Sequence, residues 1–150
     1  MEKTSLPLKG QLNRAILIAI EAHAEQLDAN NGRPYIEHPF RVMNAGQTLP
    51  EKIVGILHDV VEDTPWTMDA LAREGFSDEI LLAVDALTRR DNESYDDYLA
   101  RVKPIPLAVR VKLNDLSDNM DIRRWDSIPD FEFARLRKYL NAYKQLTEAR

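Results

Sequence analysis

Apolar side chains recur at spacings of three and four residues along almost the whole chain, and this pattern constrains the fold most. A clear example is residues 12–27, LNRAILIAIEAHAEQL, where Leu12, Ile16, Ala19 and Leu27 follow helical spacing. No run alternates apolar and polar residues with the two-residue period of a half-buried strand. The chain also contains no internal repeat and no low-complexity segment. The sequence therefore predicts an all-α fold, a compact bundle of roughly seven or eight helices.

Proline, glycine and capping residues set the expected boundaries of the other helices. A loop, DANNGRPYIE, follows the first helix, and the short helix HPFRVMNAG then has Pro39 in its first turn. The next helix is predicted at residues 50–63, since it must stop before Pro65. Thr67 is expected to cap the following short helix, and Gly75 to close it. The remaining helices are expected at residues 77–90, 94–102, 107–120 and 130–150.

The composition is that of an ordinary globular protein, and it disfavours several classes. A chain of 150 residues, 44% hydrophobic and 30% charged, suits one domain covering residues 1–150. It contains no cysteine, so disulfides and thiolate chemistry are excluded. The net charge of −5 disfavours nucleic-acid binding, although a local cluster can still bind a small anion. Without a signal-peptide pattern or a stretch of ~18 apolar residues, a cytoplasmic protein without membrane attachment is expected.

Four ionisable side chains interrupt the apolar helix predicted at residues 50–63. In the segment ILHDVVEDT, His58 and Glu62 are four positions apart, as are Asp59 and Asp63. Residues at this spacing share one side of a helix. The rest of the segment is strongly apolar, which indicates a buried helix. Buried carboxylates need partners, and one divalent cation satisfies several of them. The alternative interpretation is a solvated polar stripe with ordinary hydrogen bonds.

Two further residues complete a candidate metal site. His38 opens a helix in PYIEHP, and Asp115 lies in the apolar helical segment VKLNDLSDN. With His58 and Asp59 they supply two imidazoles and two carboxylates, a donor set that suits Mn²⁺, Fe²⁺ or Zn²⁺. Four protein ligands on an octahedral ion leave positions for water and substrate, as hydrolysis requires. The acidic pair one helical turn further on provides the candidate general acid and base: Glu62 and Asp63.

These motifs resemble those of the HD-domain metal-dependent phosphohydrolases. Within that family they are most similar to the small alarmone hydrolases related to the hydrolase half of the RelA/SpoT proteins. GRPYIEHP resembles that group's Gly-x-Pro-Tyr-Ile loop and His-Pro motif, and ILHDVVEDT resembles its paired His-Asp and Glu-Asp block. VKLNDLSDN resembles its Val-Lys-Leu-Ala-Asp-x-x-x-Asn motif, with Asn114 in place of the alanine. The motifs occur in family order, and the paired block is far more specific than an isolated His-Asp.

The resemblance implies a hydrolase that removes the 3′-pyrophosphate from guanosine tetra- or pentaphosphate, (p)ppGpp, using one Mn²⁺. The implied metal ligands are His38, His58, Asp59 and Asp115. Glu62 and Asp63 resemble the pair that positions the attacking water and handles its proton. Tyr35 resembles a residue of the nucleotide pocket, and Asn119 one that reaches the sugar or phosphate. Lys112 is expected to pair with Asp115 or to meet a phosphate, and His23 is expected to be structural.

The loop before GRPYIEHP departs from this resemblance. The alarmone hydrolases carry an Arg-Lys pair near the guanine base and the phosphates, where this chain has Leu27 and Asp28. A carboxylate at such a place repels a polyphosphate. Arg33 is a candidate to supply the missing charge from another direction. Other candidate cations are Arg89, Arg90 and Lys103.

Three functions follow as alternatives. The first is (p)ppGpp hydrolysis, and the second is hydrolysis of another nucleotide or phosphoester, which the altered loop favours. The third is a non-enzymatic helical module that binds a metal and a ligand, which the Glu62–Asp63 pair disfavours. The chain lacks a glycine-rich phosphate loop and is too short for a synthetase domain beside these helices, so only hydrolysis is predicted. The expected partner is a small anionic nucleotide, and a homo-oligomer is left open.

Overall fold

A computed structural model describes residues 4–149, and the predicted all-α class is confirmed. Within this range the one strand-like feature is an isolated bridge between Leu27 and Pro34. Arg150, at the end of the last predicted helix, lies outside the described residues. The elements are α1 (Leu8–Ala22), α2 (Glu37–Ala45), α3 (Leu49–Leu57), α4 (Val60–Asp63), α5 (Met68–Ala72), α6 (Asp78–Leu87), α7 (Tyr95–Val102), α8 (Pro106–Asn119), the 3-10 turn η1 (Ile122–Arg124) and α9 (Glu132–Ala149).

Helix α3 lies at the centre of the core and packs against α1, α2, α6 and α8. It is apolar on nearly all sides, so that Ile53, Val54, Ile56 and Leu57 are all fully buried. Helix α8 packs against both α3 and α9, and it adds a second row of buried aliphatic side chains. The C-terminal end of α3 and the inner face of α8 therefore meet inside the protein.

A capping box fixes the start of α3. The Thr48 hydroxyl accepts a hydrogen bond from the Glu51 backbone N–H at 3.3 Å, and the Glu51 carboxylate accepts one from the Thr48 N–H at 2.9 Å. The same buried carboxylate accepts a 3.0 Å hydrogen bond from Nε of Arg110 on α8. This cation offsets the cost of burying Glu51 and ties α8 to the beginning of α3.

The first helix has different boundaries from the predicted residues 12–27. It begins at Leu8 and ends at Ala22. Beyond it the backbone closes a loop, in which the Tyr35 N–H donates to the Gln26 carbonyl at 2.9 Å. Backbone N–H and C=O groups find hydrogen-bond partners across this loop. Residues 23–27 therefore satisfy their backbone without forming a helix, although their apolar residues have helical spacing.

The prediction of one continuous helix over residues 50–63 was wrong. Helix α3 ends at Leu57 and α4 begins at Val60, while Asp59 between them has φ −103° and ψ −2°. The Gly55 carbonyl, which a continuous helix offers to residue 59, accepts a 2.6 Å hydrogen bond from His58 Nδ1. The four polar groups therefore lie around a turn between two helices rather than on one helical face.

The other helices lie close to their predicted positions. The Thr67 hydroxyl caps α5 by accepting a hydrogen bond from the Ala70 N–H at 3.1 Å. Gly75, at φ +94°, turns the chain after α5 in a conformation that favours glycine. No helix among residues 4–149 is long and apolar enough to cross a membrane. The single-domain organisation over residues 1–150 stays a prediction.

Helices α2 and α3 approach each other most closely at Gly55. A Cβ atom added at this position would lie 3.1 Å from both the backbone N and the Cα of Met43 on α2. The absence of a side chain therefore sets the distance between the two helices. Because α2 carries His38 and α3 leads directly into His58, this contact also sets the spacing of the two imidazoles.

Gly55→Ala is expected to lower the free energy of unfolding by about 1–3 kcal/mol, because the new methyl group would press on backbone that cannot rotate away. It should also move His38 relative to His58. Urea unfolding measures the first effect. Gly10→Ala on α1 is the control, since its nearest contact would be Leu6 Cβ at 3.7 Å and helix propensity favours alanine by about 0.5–1 kcal/mol. Equal stability changes in the two variants would contradict this account.

Candidate active site

Two buried imidazoles face each other where α2 meets the end of α3. The ring centroids of His38 and His58 are 5.2 Å apart in an edge-to-face arrangement. His58 Nδ1 donates to the Gly55 carbonyl, which leaves Nε2 turned toward the interior. His38 Nδ1 lies 2.6 Å from Oδ2 of Asp118, which turns its Nε2 toward the same point. Backbone and side-chain partners thus fix the orientation of both rings.

Two carboxylates complete a compact group of possible metal ligands. Asp115 Oδ1 lies 3.0 Å from His38 Nε2 and 3.2 Å from His58 Nε2. Asp59 Oδ2 lies 3.0 Å from His58 Nε2 and 3.6 Å from His38 Nε2. One ligand atom from each of these four residues falls within 4.8 Å of the others. The structure therefore brings together all four predicted metal ligands, and two nitrogen and two carboxylate donors suit a divalent transition metal.

Burial and neighbouring charges act in opposite directions on these groups. Burial lowers the pKa of His38, but hydrogen bonds to Asp115 and Asp118 outweigh it and raise the pKa to about 9. Burial also lowers the pKa of His58, whereas Asp59 and Asp115 raise it well above 6.5. Burial raises the pKa of Asp59, and His58 then lowers it to about 2. Without a bound cation, protons on the imidazoles therefore neutralise the carboxylates.

The three predicted substrate contacts nearest this cluster bind its carboxylates directly. The Tyr35 hydroxyl donates to Asp59 Oδ2 at 2.5 Å, and Lys112 Nζ donates to Asp115 Oδ2 at 2.8 Å. Asn119 Nδ2 donates to Asp115 Oδ1 at 3.1 Å. All three also line the adjoining cavity. Their geometry suits orienting the carboxylates, and their predicted contact with substrate stays a prediction.

The acidic pair of α4 lies beside the cluster, as predicted. Ligand atoms of Asp59, Glu62 and Asp63 fall within 4.8 Å of one another. The backbone N–H of Arg89 donates to Glu62 Oε1 at 2.7 Å and so fixes that carboxylate. Partial desolvation raises the pKa of Asp63, and the negative charges of Asp59 and Glu62 raise it further, to about 7. A carboxyl with this pKa can exchange a proton near neutral pH.

A cavity of about 480 Å³ opens over the cluster and the acidic pair. Its wall away from the metal ligands is cationic and aromatic. Lys138 Nζ lies 4.6 Å from the centre of the Tyr95 ring and 5.6 Å from that of Tyr139, and the Arg89 guanidinium lies 5.5 Å from that of Tyr95. Neither Lys138 nor Arg89 forms an ion pair with a carboxylate among residues 4–149. The cations that line the cavity are Arg89, Lys112, Arg124, Arg135 and Lys138.

The remaining candidate cations lie elsewhere. Arg33 is exposed, and its guanidinium pairs with Glu37 at 2.6 Å, outside the cavity lining. Arg90 Nη2 donates to Asp85 Oδ2 at 3.0 Å, and Lys103 Nζ donates to Gln145 Oε1 at 3.4 Å. Neither residue lines the cavity. The structure therefore does not bring Arg33 to the predicted site. Leu27 and Asp28, the two residues that depart from the resemblance, do lie at its rim.

Burial separates the competing interpretations of individual polar residues. His58 and Asp115 are each only 4% exposed, which excludes a solvated stripe for them. His23 is buried too, but it does not line the cavity, and its Nδ1 lies 2.7 Å from Oε1 of Gln26. Gln26 in turn donates to the Asp63 carbonyl at 2.8 Å. The expected structural role of His23 thus agrees with its contacts.

Sequence analysis missed several residues of this site. Asp118 is three positions after Asp115, so helical spacing in VKLNDLSDN offered a signal for it. Arg124 follows in an irregular segment, and Arg135 and Lys138 lie on a helix whose inward face is set only by packing. No local pattern distinguishes these three from solvated surface cations.

The chain is similar in sequence to part of several longer proteins. No family model matches the chain. A probable GTP pyrophosphokinase of Mycobacterium leprae is 32% identical over 127 residues, which are 76% of this chain and 16% of that protein. A guanosine-3′,5′-bis(diphosphate) 3′-pyrophosphohydrolase of Borreliella burgdorferi is 39% identical over 80 residues, 51% of this chain and 12% of that protein. The bifunctional (p)ppGpp synthase/hydrolase SpoT of Escherichia coli is 29% identical over 126 residues, 73% of this chain and 18% of that protein.

A solved structure shares the fold over most of the chain. It is a metazoan ortholog of SpoT that hydrolyses ppGpp, with a TM-score of 0.75 and 18% identity, covering 93% of this chain and 84% of that one. Over 73–76% of its own length the chain is similar in sequence to proteins of the SpoT/RelA group. The resemblance predicted from the motifs is confirmed, and these curated relatives carry the names of enzymes. The chain spans only 12–18% of the length of these curated relatives.

Asp63 is expected to titrate near pH 7 in chelator-treated protein, being neutral below that pH and ionised above it. The chemical shift of its labelled carboxyl carbon, followed by NMR, measures the midpoint. Glu62→Gln removes one neighbouring negative charge and should lower this midpoint. A midpoint of ~4, the ordinary value for a carboxyl group, would contradict the electrostatic account of the site.

Proposed function

We propose that this chain is a metal-dependent hydrolase that removes the 3′-pyrophosphate from (p)ppGpp. The observation that carries the proposal is the buried group of His38, His58, Asp59 and Asp115 directly beside an acidic pair. Two relatives with 38% and 39% identity are named for this hydrolysis, which supports the same assignment. The stringent response is then the physiological setting, and the cytoplasm the predicted location.

The donor set supports a single Mn²⁺, with Fe²⁺ or Zn²⁺ as alternatives. Imidazole nitrogens and carboxylate oxygens already converge, and each ring is held by a partner on its other nitrogen. When bound, such an ion supplies Lewis-acid polarisation of a phosphate and a lowered pKa for water. The chain itself contributes the orientation of the ligands, through Gly55 and Asp118, and the compensation of negative charge, through Lys112.

Glu62 and Asp63 fit the proton-handling roles. Glu62 is held by the Arg89 backbone, and so has one oxygen free to orient the attacking water. Asp63, with its pKa raised to about 7, can accept the proton of that water in its ionised form and return it to the leaving group. The burial of Asp63 and the negative charges around it raise its pKa into the range that this proton transfer requires.

The cationic wall of the cavity supports an anionic nucleotide as substrate. Lys138 and Arg89 lie against Tyr95 instead of against carboxylates, so their positive charge remains available to a phosphate group. The Tyr139 ring offers an apolar surface in the same wall. A substrate with one reacting phosphate at the metal ligands and further negative charge at this wall matches the cavity.

Two other assignments have specific observations behind them. Hydrolysis of a different nucleotide or phosphoester is favoured by the rim residues Leu27 and Asp28, which offer no positive charge. Synthesis is suggested by the GTP pyrophosphokinase names of some relatives. The acidic pair beside the ligand group supports hydrolysis instead, since transfer of pyrophosphate has no need of an activated water. A purely sensing module likewise has no need of Glu62 and Asp63.

Asp59→Ala is expected to remove bound metal, because it deletes one ligand and one compensating negative charge. Elemental analysis of protein purified in the presence of Mn²⁺ measures the loss. Asp91→Ala, at an exposed turn, is the control and should keep the full metal content. A full metal complement in Asp59→Ala would remove this residue from the ligand set.

The wild-type protein with Mn²⁺ is expected to release pyrophosphate from (p)ppGpp in a panel of nucleotides and phosphoesters. Glu62→Gln should retain the metal but lose ~10²-fold or more in kcat, because it keeps the size of the side chain and removes its negative charge. Chromatographic separation of pyrophosphate from phosphate identifies the leaving group. Turnover of another nucleotide, with none of (p)ppGpp, would establish the second assignment.

A further inference from the structure

The part of the cavity rim around Asp28 has an unusual distribution of charge. The loop segment that forms it, residues 27–30, contains Leu27 and Asp28 but no cation. The cation at this side comes from elsewhere in the chain: Arg124, at the end of the η1 turn, lines the same cavity and is 22% exposed. Two backbone-linked contacts hold this turn against the loop. Asn31 Nδ2 donates to the Arg124 carbonyl at 3.4 Å, and the Asp126 N–H donates to the Asn30 carbonyl at 3.3 Å.

Among the described residues the Arg124 guanidinium forms hydrogen bonds through one nitrogen only, Nη2. Its Nη2 donates to the carbonyl of Asp118 at 2.7 Å and to Oδ2 of the same residue at 3.3 Å. Its Nη1 lies 3.7 Å from Asp28 Oδ2, an ion-pair distance too long for a hydrogen bond. Its Nε is buried and has no hydrogen-bond partner among residues 4–149. Nη1 thus also has no hydrogen-bond acceptor among these residues, and a charged guanidinium N–H donates strong hydrogen bonds to oxyanions.

Asp28 has a structural role that explains a carboxylate at this rim. Its Oδ1 accepts a 2.7 Å hydrogen bond from the Asn30 N–H, which closes the loop in an Asx turn. Its Oδ2 is directed to Arg124. The carboxylate therefore orients the guanidinium and reduces its net charge, and it is not simply a negative group presented to the ligand.

We propose that Arg124 binds a phosphate-type oxyanion of the substrate at this rim, and that Asp28 positions the guanidinium for it. The inference rests on the proposed function, because it assigns one anion contact within the same cavity. It makes Arg124 a specificity-determining residue, with the positive charge coming from the turn after α8 instead of from the loop after α1.

Arg124 also contacts Asp118, which orients the His38 ring. A substitution of Arg124 can therefore disturb the metal ligands, and this indirect effect must be separated from the loss of a direct contact with the anion. Arg41 provides this separation. Its Nε donates to Asp118 Oδ1 at 2.7 Å, as close as Arg124, but Arg41 does not line the cavity. Arg123 gives a second control, since it is exposed, pairs with Asp121 at 2.8 Å and also lies outside the cavity.

The test measures binding of inorganic pyrophosphate by calorimetry to chelator-treated protein, in which no turnover occurs. Arg124→Gln is expected to weaken binding ~10-fold or more, the effect of losing hydrogen bonds to a charged group. Arg124→Lys should restore part of it, because the positive charge returns without the planar, fixed guanidinium geometry. Arg41→Gln and Arg123→Gln should bind like the wild type. Equal weakening by Arg41→Gln, no weakening by Arg124→Gln, or no binding by the wild type would each overturn the proposal.

A second measurement tests the role of Asp28. Asp28→Asn keeps the acceptor for the Asn30 N–H but removes the ion pair that orients the guanidinium, so pyrophosphate should bind several-fold more weakly, and tighter binding would contradict the positioning role. The same change in an Arg124→Gln background should have little effect, because the pair acts as a unit. Equal effects in both backgrounds would contradict the positioning role. A wild type that binds pyrophosphate as expected but hydrolyses no (p)ppGpp would refute the proposed function and leave Arg124 as an oxyanion contact.

Discussion

The buried charge of Asp115 is the constraint on which the rest of the site depends. Its carboxylate is 4% exposed on a helix whose inward neighbours are aliphatic, so in isolation it would be very costly. Burial raises its pKa, but Lys112 and His58 more than reverse this and hold the pKa well below its usual range. Because its partners come from α2, the end of α3 and α8, satisfying this one charge fixes three elements relative to one another.

The cavity resolves an apparent conflict between an acidic chain and an anionic ligand. The net charge of −5 describes the whole molecule, whereas the wall opposite the metal ligands is positive. Aromatic rings make this arrangement stable. Tyr95 provides a surface against which Lys138 and Arg89 lie without being neutralised by carboxylates. Burial and mutual repulsion lower the pKa of Lys138, which is the cost of keeping such cations together.

Asp118 joins the metal-ligand group to the cavity rim. Its Oδ2 lies beside His38 Nδ1 and accepts a hydrogen bond from Arg124. Its Oδ1 accepts a hydrogen bond from Arg41. Burial raises the pKa of this carboxyl, but the hydrogen bonds to His38 and Arg41 outweigh it and lower the pKa below its usual range. The orientation of a candidate metal ligand and the position of a rim cation therefore share one side chain. A change at Asp28 can reach His38 through Arg124 and Asp118, although Asp28 lies outside the ligand set.

The sequence by itself determined the helical class, most helix positions and the ionisable residues of the segment ILHDVVEDT, because these depend on spacing within short segments. The grouping of His38 with Asp115, 77 positions apart, came from the donor types that a metal needs and from motif resemblance, and not from local spacing. Tertiary structure decided the rest. It broke the helix at His58, since a side-chain hydrogen bond to Gly55 replaces helical geometry there. It also placed Arg124 and Lys138 in the lining of the cavity and Arg33 outside it. Packing between distant segments decides which face of an exposed helix or turn lines a cavity, and no local sequence pattern records that packing.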